Sequence, residues 1–270
     1  MTSQIFSLAA LTVLELSPPD MIEAAARAGY SHVGLRLEPA TAEEHHFALM
    51  TDLALRQQTA KALRDTGVKV LDIEILRLKP HTEVKEFERF LDVGAQFGAT
   101  ELLIAGNDPD EGRLTNHFAE LCDLALPFGI YPHLEFMPWT DSPNLGHALR
   151  VVANAGRPNG CVLVDAFHFN RSRSSLADLA AAVQTNPQRF RYAQMCDVLG
   201  PVPDDMAEIL RQARTERRFP GDGDCDLPGL LAALPQGVPI SIEAPTRQQQ
   251  PLDGYERAAA GLGKMRKLLR

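Results

Sequence analysis

The chain has 270 residues, 45% of them hydrophobic and 23% charged, with a formal net charge of −8. That balance belongs to a globular protein able to bury a large core without disulfide staples. The acidic charge and the lack of any Lys/Arg block exclude nucleic acid or an anionic membrane as the partner.

No apolar run approaches the ~20 residues of a membrane span. "MTSQIFSLAA" lacks the basic start and long apolar core of a secretory signal, so a cytoplasmic protein is expected. Cys122, Cys161, Cys196 and Cys225 are widely spaced, with no C-x-x-C pair. They read as reduced thiols.

Short apolar runs alternate with amphipathic stretches from end to end. "QIFSLAAL" (4–11) is a candidate first strand. A helix follows over 17–30, with Ser17 or Asp20 at its start and Gly29 as its stop. "HVGLRL" (32–37) is a second strand. The next helix covers 51–67, with Thr51 as cap and Gly67 as terminator. "KVLDIEILRL" (69–78) is the third strand, 83–98 a helix, and "TELLIAG" (100–106) the fourth strand. A long helix runs from Asp110 to Gly129, and "IYPHLEF" (130–136) is the fifth strand. Helix 142–156 leads to a sixth strand, "GCVLVDAFHF" (160–169), and helix 174–185 to a seventh, "RFRYAQMCDV" (189–198). Helix 204–218, a loop and a short helix precede the eighth strand, "VPISIEAP" (238–245). A helix over 255–269 closes the pattern.

Eight strand-like runs, each followed by a helix, force parallel pairing. Eight units in this length close most simply into a single (β/α)8 barrel of TIM type, one domain over 1–270. An open doubly wound sheet is the alternative, but no glycine fingerprint follows the first strand.

In such a barrel the chemistry gathers at the carboxyl ends of the strands. The late strands end near Glu135, Asp165, Gln194 and Glu243, on four successive β/α units. Glu135 interrupts an otherwise apolar run, "HLEFMPW", and a lone buried carboxylate is expensive. Three carboxylates together would repel one another and hold protons. A divalent cation removes that conflict, so Glu135, Asp165, Gln194 and Glu243 are expected as metal ligands. Oxygen donors without thiolate or imidazole favour Mn²⁺, Mg²⁺ or Co²⁺ over a structural Zn²⁺.

Other polar residues fall at the same end. His168 follows Asp165 by three and reads either as a proton shuttle or as a supporting imidazole. His133, two before Glu135, reads as a core histidine. Arg36 and Arg77 end strands two and three and would clamp a substrate carboxylate or phosphate. Their alternative is an internal ion pair with Glu74 or Glu38. Trp139 covers a sugar-like ring or packs a loop, and Asn107 offers a further polar contact. "RFPGDGDCDL" reads as a turn before a short helix, a lid element, because the full calcium-loop spacing is absent. "RQARTERR" reads as a solvated helix face.

"AAARAGYSHVGLRL", "HLEFMPW", "VLVDAFHF", "YAQMCDV", "FPGDGDCDLPGLLAAL" and "ISIEAP" together resemble the xylose isomerase-like TIM barrels, the sugar phosphate isomerase/epimerase superfamily. The resemblance spans nearly the whole chain. It implies metal ligands Glu, Asp, His and Glu on the late strands, which fall on Glu135, Asp165, Gln194 and Glu243. Gln194 departs from the usual His, a departure shared with bacterial 3-dehydroshikimate dehydratases, although the amino-terminal motif of those enzymes is not evident. The resemblance also allows a homodimer.

The activity this implies is isomerisation or epimerisation of a small sugar or cyclic polyol-derived carbonyl compound through an enediolate. Glu135 or Glu243 would remove the proton, and the other, or His168, would return it. A metal-dependent lyase and a non-catalytic sugar-binding barrel are the alternatives.

Overall fold

Alternation of buried apolar runs with amphipathic helices leaves each strand two covered faces, which the chain resolves by closing on itself. The computed structural model describes residues 4–246 and 252–270. Its strands are β1 (Phe6–Leu8), β2 (His32–Arg36), β3 (Lys69–Leu78), β4 (Glu101–Gly106), β5 (Tyr131–Glu135), β6 (Cys161–Asp165), β7 (Ala193–Met195) and β8 (Ile240–Ile242). They form a closed barrel in sequence order, β1 pairing with β8 in parallel. The helices are α1 (Pro18–Ala28), α2 (Leu53–Thr66), α3 (Glu88–Gln96), α4 (Glu111–Ala125), α5 (Leu145–Ala155), α6 (Ala166–Arg171), α7 (Leu176–Thr185), α8 (Met206–Thr215), α9 (Leu227–Ala233) and α10 (Gly254–Leu268).

The helix signals act as expected at α1: the Ser17 side chain accepts from Asp20 N, and Gly29 at φ 90° ends the helix in a left-handed turn. At α2 the cap is Asp52, accepting from Leu55 N, rather than Thr51. Four expected strands are clearly shortened, β8 among them, which keeps only Ile240–Ile242 of 238–245. After Leu8 the chain winds into a 3₁₀ turn, Ala10–Val13, whose Thr12 hydroxyl donates to Ile242 O and accepts from Ala244 N. β6 stops at Asp165, whose carboxylate accepts from His168 N and starts α6. His168 therefore sits on a helical turn over the barrel mouth. β7 keeps only three residues of the expected run.

The main core lies between barrel and helices. A smaller apolar cluster inside the barrel joins Leu71, Ile75, Leu103, Ala105, Leu163 and Tyr192. Below it, at the amino ends of the strands, His133 bonds Glu101 (2.7 Å), and Arg191 binds the same carboxylate at 2.9 Å. His133 is a core histidine, as its position predicted. The four cysteines are unpaired. Among the described residues no helix is long and apolar enough to cross a membrane.

Candidate active site

Strand register decides which side chains meet. Asp165 on β6 lies beside Gln194 on β7, and Gln194 beside Ser241 on β8. Glu243, two residues past Ser241, shares its face. Glu135 pairs with Leu163, one inward position below Asp165. All four expected ligands are thus carried on the inner side of adjacent strands, and all are buried.

Their contacts divide into two groups. On one side, Arg217 Nη1 lies 2.8 Å from Asp165 Oδ2 and 2.9 Å from Glu243 Oε2. Gln194 Nε2 donates to Glu243 Oε1 at 3.2 Å. On the other side, His168 Nε2 lies 3.7 Å from Glu135 Oε1 and 3.9 Å from Asp165 Oδ1. Glu135 Oε1 and Gln194 Oε1 are buried acceptors without a hydrogen-bond partner among the described residues.

Arg217 was not visible as a site residue in the sequence. The "RQARTERR" stretch is solvated only in part: Arg211 pairs outside with Glu208 and Glu216. α8 ends at Thr215, and the following residues run between the ends of β7 and β8. Glu216 bridges to Thr246, and Arg218 to Asp197. Arg217 N donates to Pro245 O, and its Nε donates to Ala213 O at 2.8 Å. Held from both sides, the guanidinium has one direction to point, into the carboxylates. No periodicity marks it out, because its place depends on two bridges between distant segments.

The electrostatics follow from burial. Glu135 is held well above the usual carboxylate range, first by burial and then by the Asp165 and Glu243 charges. Asp165 and Glu243 are raised by burial, with Arg217 opposing. Burial, with Arg217 beside it, pushes His168 well below the ordinary histidine value, so its imidazole is neutral. Burial disfavours charge on Arg217 too, but Asp165 and Glu243 outweigh it and raise its pKa.

These residues fit a divalent cation. Glu135, Asp165 and His168 each offer a ligand atom, all within 4.8 Å of one another. When ionised, the three carboxylates set against one guanidinium leave two negative charges for a cation to balance, and Glu135 Oε1 is a buried acceptor with no hydrogen-bond partner among the described residues. Carboxylate oxygens with an amide oxygen or neutral imidazole suit such an ion.

Residues 22–268 match the description xylose isomerase-like TIM barrel. The chain belongs to that family. Within it, a 69-residue stretch is 35% identical to an inosose isomerase of Halalkalibacterium halodurans, covering 25% of this chain and 24% of that protein. The chain thus aligns with about a quarter of that relative's length. The IolI protein, solved with a bound zinc atom, has a TM-score of 0.80 at 19% identity, with 98% of each chain covered. A probable 3-DHS dehydratase, AsbF of Bacillus anthracis, has a TM-score of 0.75 at 12% identity, covering 98% of this chain and 99% of that one. Likeness at these identities concerns the fold.

The expected substrate residues of this family member part company. Arg36 is committed to internal pairs: Nη1 lies 3.2 Å from Glu44 and Nε 3.4 Å from Glu74. That is the ion-pair alternative, with Glu44 added and Glu38 absent. Glu74 is pushed up to about 7 by burial, with Arg36 opposing. Among the described residues Arg77 has no such partner; it donates to Asn107 Oδ1 and Ala40 O. Trp139 meets His168 edge-on, ring centroids 5.0 Å apart, and lines the same pocket as Glu135 and Glu243.

The 219–225 loop is anchored. Asp197 accepts from Val198 N, Gly221 N and Cys225 N, and Lys264 pairs with Asp222. It braces the far side of Arg217's segment.

Proposed function

We propose that the chain is a divalent-metal-dependent isomerase or epimerase of a small polyhydroxy carbonyl compound, working through an enediolate. The observation that carries the reading is Glu135: a carboxylate buried at a strand's carboxyl end, its Oε1 without a hydrogen-bond partner among the described residues and 3.7 Å from the His168 imidazole. Glu135 and Asp165 would hold the cation. Gln194 Oε1 and Glu243 complete the expected set, and His168 Nε2 is the alternative donor. Bound there, a divalent ion such as Mn²⁺, Mg²⁺ or Co²⁺ polarises a carbonyl oxygen and stabilises the charge that develops on it.

The side chains do the rest. Glu135, through an oxygen left free by the cation, would take the proton from the carbon next to the carbonyl. Glu243, or neutral His168, returns a proton to the neighbouring atom or the opposite face. Arg217 holds the Asp165 and Glu243 carboxyl groups in place while this happens. Trp139 closes one wall against water. The partial match to an inosose isomerase supports this reaction class.

Gln194 favours a second reading, a lyase in which the same enolate expels a β-hydroxyl group with His168 as the acid. The experiment is incubation in D₂O with Mn²⁺ and a panel of ketoses and inososes, followed by NMR. Deuterium should enter the α-carbon of at least one, and Glu135→Gln should slow that at least ~10²-fold, a general base's usual contribution. Rapid ultraviolet-detected conversion of 3-dehydroshikimate to protocatechuate, with no exchange in any sugar, replaces the isomerase reading with the lyase.

A further inference from the structure

Two guanidinium groups stand outside the carboxylate cluster at the barrel mouth. Arg77, at the end of β3, and Arg214, in the last turn of α8, line both the inner pocket that holds Glu135, His168 and Glu243 and the larger cleft beyond it. Arg77 is half-buried and gives one N–H to Asn107 and another to the Ala40 carbonyl, both neutral acceptors. Arg214 is exposed, and among the described residues its side chain makes no hydrogen bond. Among the described residues neither has a carboxylate within salt-bridge distance. The undescribed positions, 1–3 and 247–251, contain no acidic residue.

That pairing is unfavourable as it stands. Burial lowers the pKa of Arg77; Glu135 pulls it up, and Arg36 and Arg214 press it down again. Two cations converge on one passage although the chain as a whole carries a net −8. Lys79 and His81 add to the cleft wall. Glu83, Glu86 and Asp141 line the cleft too, but none reaches either arginine. Size points the same way. The inner cavity, about 70 Å³, takes only the reacting end of a substrate. The cleft outside, about 930 Å³, has room for the remainder beside the two arginines.

We infer that the substrate is an anion: a polyhydroxy carbonyl compound whose non-reacting end carries a carboxylate or phosphate, bound between Arg77 and Arg214. This rests on the reaction proposed above and adds the substrate's charge class. Arg77 supplies a fixed fork. Arg214 closes over the anion from the rim. Arg36, spent on Glu44 and Glu74, takes no part.

Calorimetry with three matched probes tests this: D-fructose, D-fructuronate and D-fructose 6-phosphate. At least one anion should bind ten-fold or more tighter than fructose. Arg214→Gln changes an exposed residue and spares the fold; it should remove at least five-fold of the anion's affinity and leave fructose unchanged. Arg77→Lys should keep part of the preference and Arg77→Gln lose it. Which anion wins separates carboxylate from phosphate recognition. Equal affinity for fructose and both anions, no binding of either anion, or equal weakening of all three by Arg214→Gln overturns the inference. The readout is binding, so it is independent of turnover. Tight anion binding without deuterium exchange would sink the reaction and spare the substrate class; exchange confined to neutral sugars would do the reverse.

Discussion

Arg217 Nη1 stands 2.8 Å from Asp165 Oδ2, joining side chains 52 positions apart in the sequence, both sealed from solvent. A permanent guanidinium thus shares a strand-end site with the very acids expected to hold a metal. Removing it leaves Asp165 and Glu243 as buried charges without compensation. Arg217→Met should therefore destabilise the fold by about 3–5 kcal/mol, with Mn²⁺ restoring part of the loss and Arg217→Lys retaining more. Urea denaturation with and without Mn²⁺ reads this out. A variant as stable as the parent would mean that both acids are already protonated in the native state.

Metal binding should stabilise the native chain. With free Mn²⁺ at a hundred times Kd, linkage gives about 2.7 kcal/mol, visible as a higher Tm that chelator reverses. Elemental analysis of dialysed variants assigns the ligands. Glu135→Gln and Asp165→Asn should both lose the ion. Loss in Gln194→Leu but not in His168→Gln supports the four-strand ligand set; the opposite result moves the ion to the Glu135–Asp165–His168 side. Neither stabilisation nor bound ion in the parent chain would end the metal-dependent reading.

At the amino ends of the strands, burial tends to raise the Glu101 pKa, but its bonds to His133 and Arg191 prevail and set it below its ordinary value of 4.5. A depressed carboxylate gives stability that is present above the unfolded value and lost as pH falls through the folded one. Stability should therefore decline more steeply below pH 4.5 in the parent than in Glu101→Gln. At neutral pH that variant should be weaker by about 2–3 kcal/mol, less than for a sealed pair because Arg191 is partly exposed. Parallel pH–stability curves for the two proteins would refute the assignment.

Gly223 packs where a Cβ would come within 2.5 Å of Asp197 Oδ1 and closer still to the Val198 carbonyl. Gly223→Ala should cost about 1–3 kcal/mol through forced displacement, lowering Tm by several degrees. Asp197 also bridges Arg218, the neighbour of Arg217, so activity should fall further than Tm alone explains. An alanine variant with unchanged Tm and activity would show that the loop gives way freely.

Much of the site was legible because barrels obey a simple rule of place. A polar residue closing an apolar strand run points at the mouth, and the β/α period puts Glu135, Asp165, Gln194 and Glu243 on successive strands. His133 was readable as core for the same reason, lying two residues deeper. Arg36 and Arg77 were equivalent in the sequence, each an arginine at a strand end. Glu74, beside Arg36 on β3, and Glu44, reaching back from the loop after β2, distinguish them, and loop carboxylates have no period to follow.

Sequence alone determined the eight-unit alternation, hence the parallel closed barrel, since local burial and helix capping are short-range effects written in residue order. It determined which strand tips carry acids. The tertiary structure alone decided how those acids are compensated: Arg217 enters through two bridges to the ends of β7 and β8, and Arg214 turns from an apparently solvated helix toward the mouth. Charge pairing inside a protein depends on three-dimensional distance and on exclusion of water, and neither quantity exists until distant segments have packed.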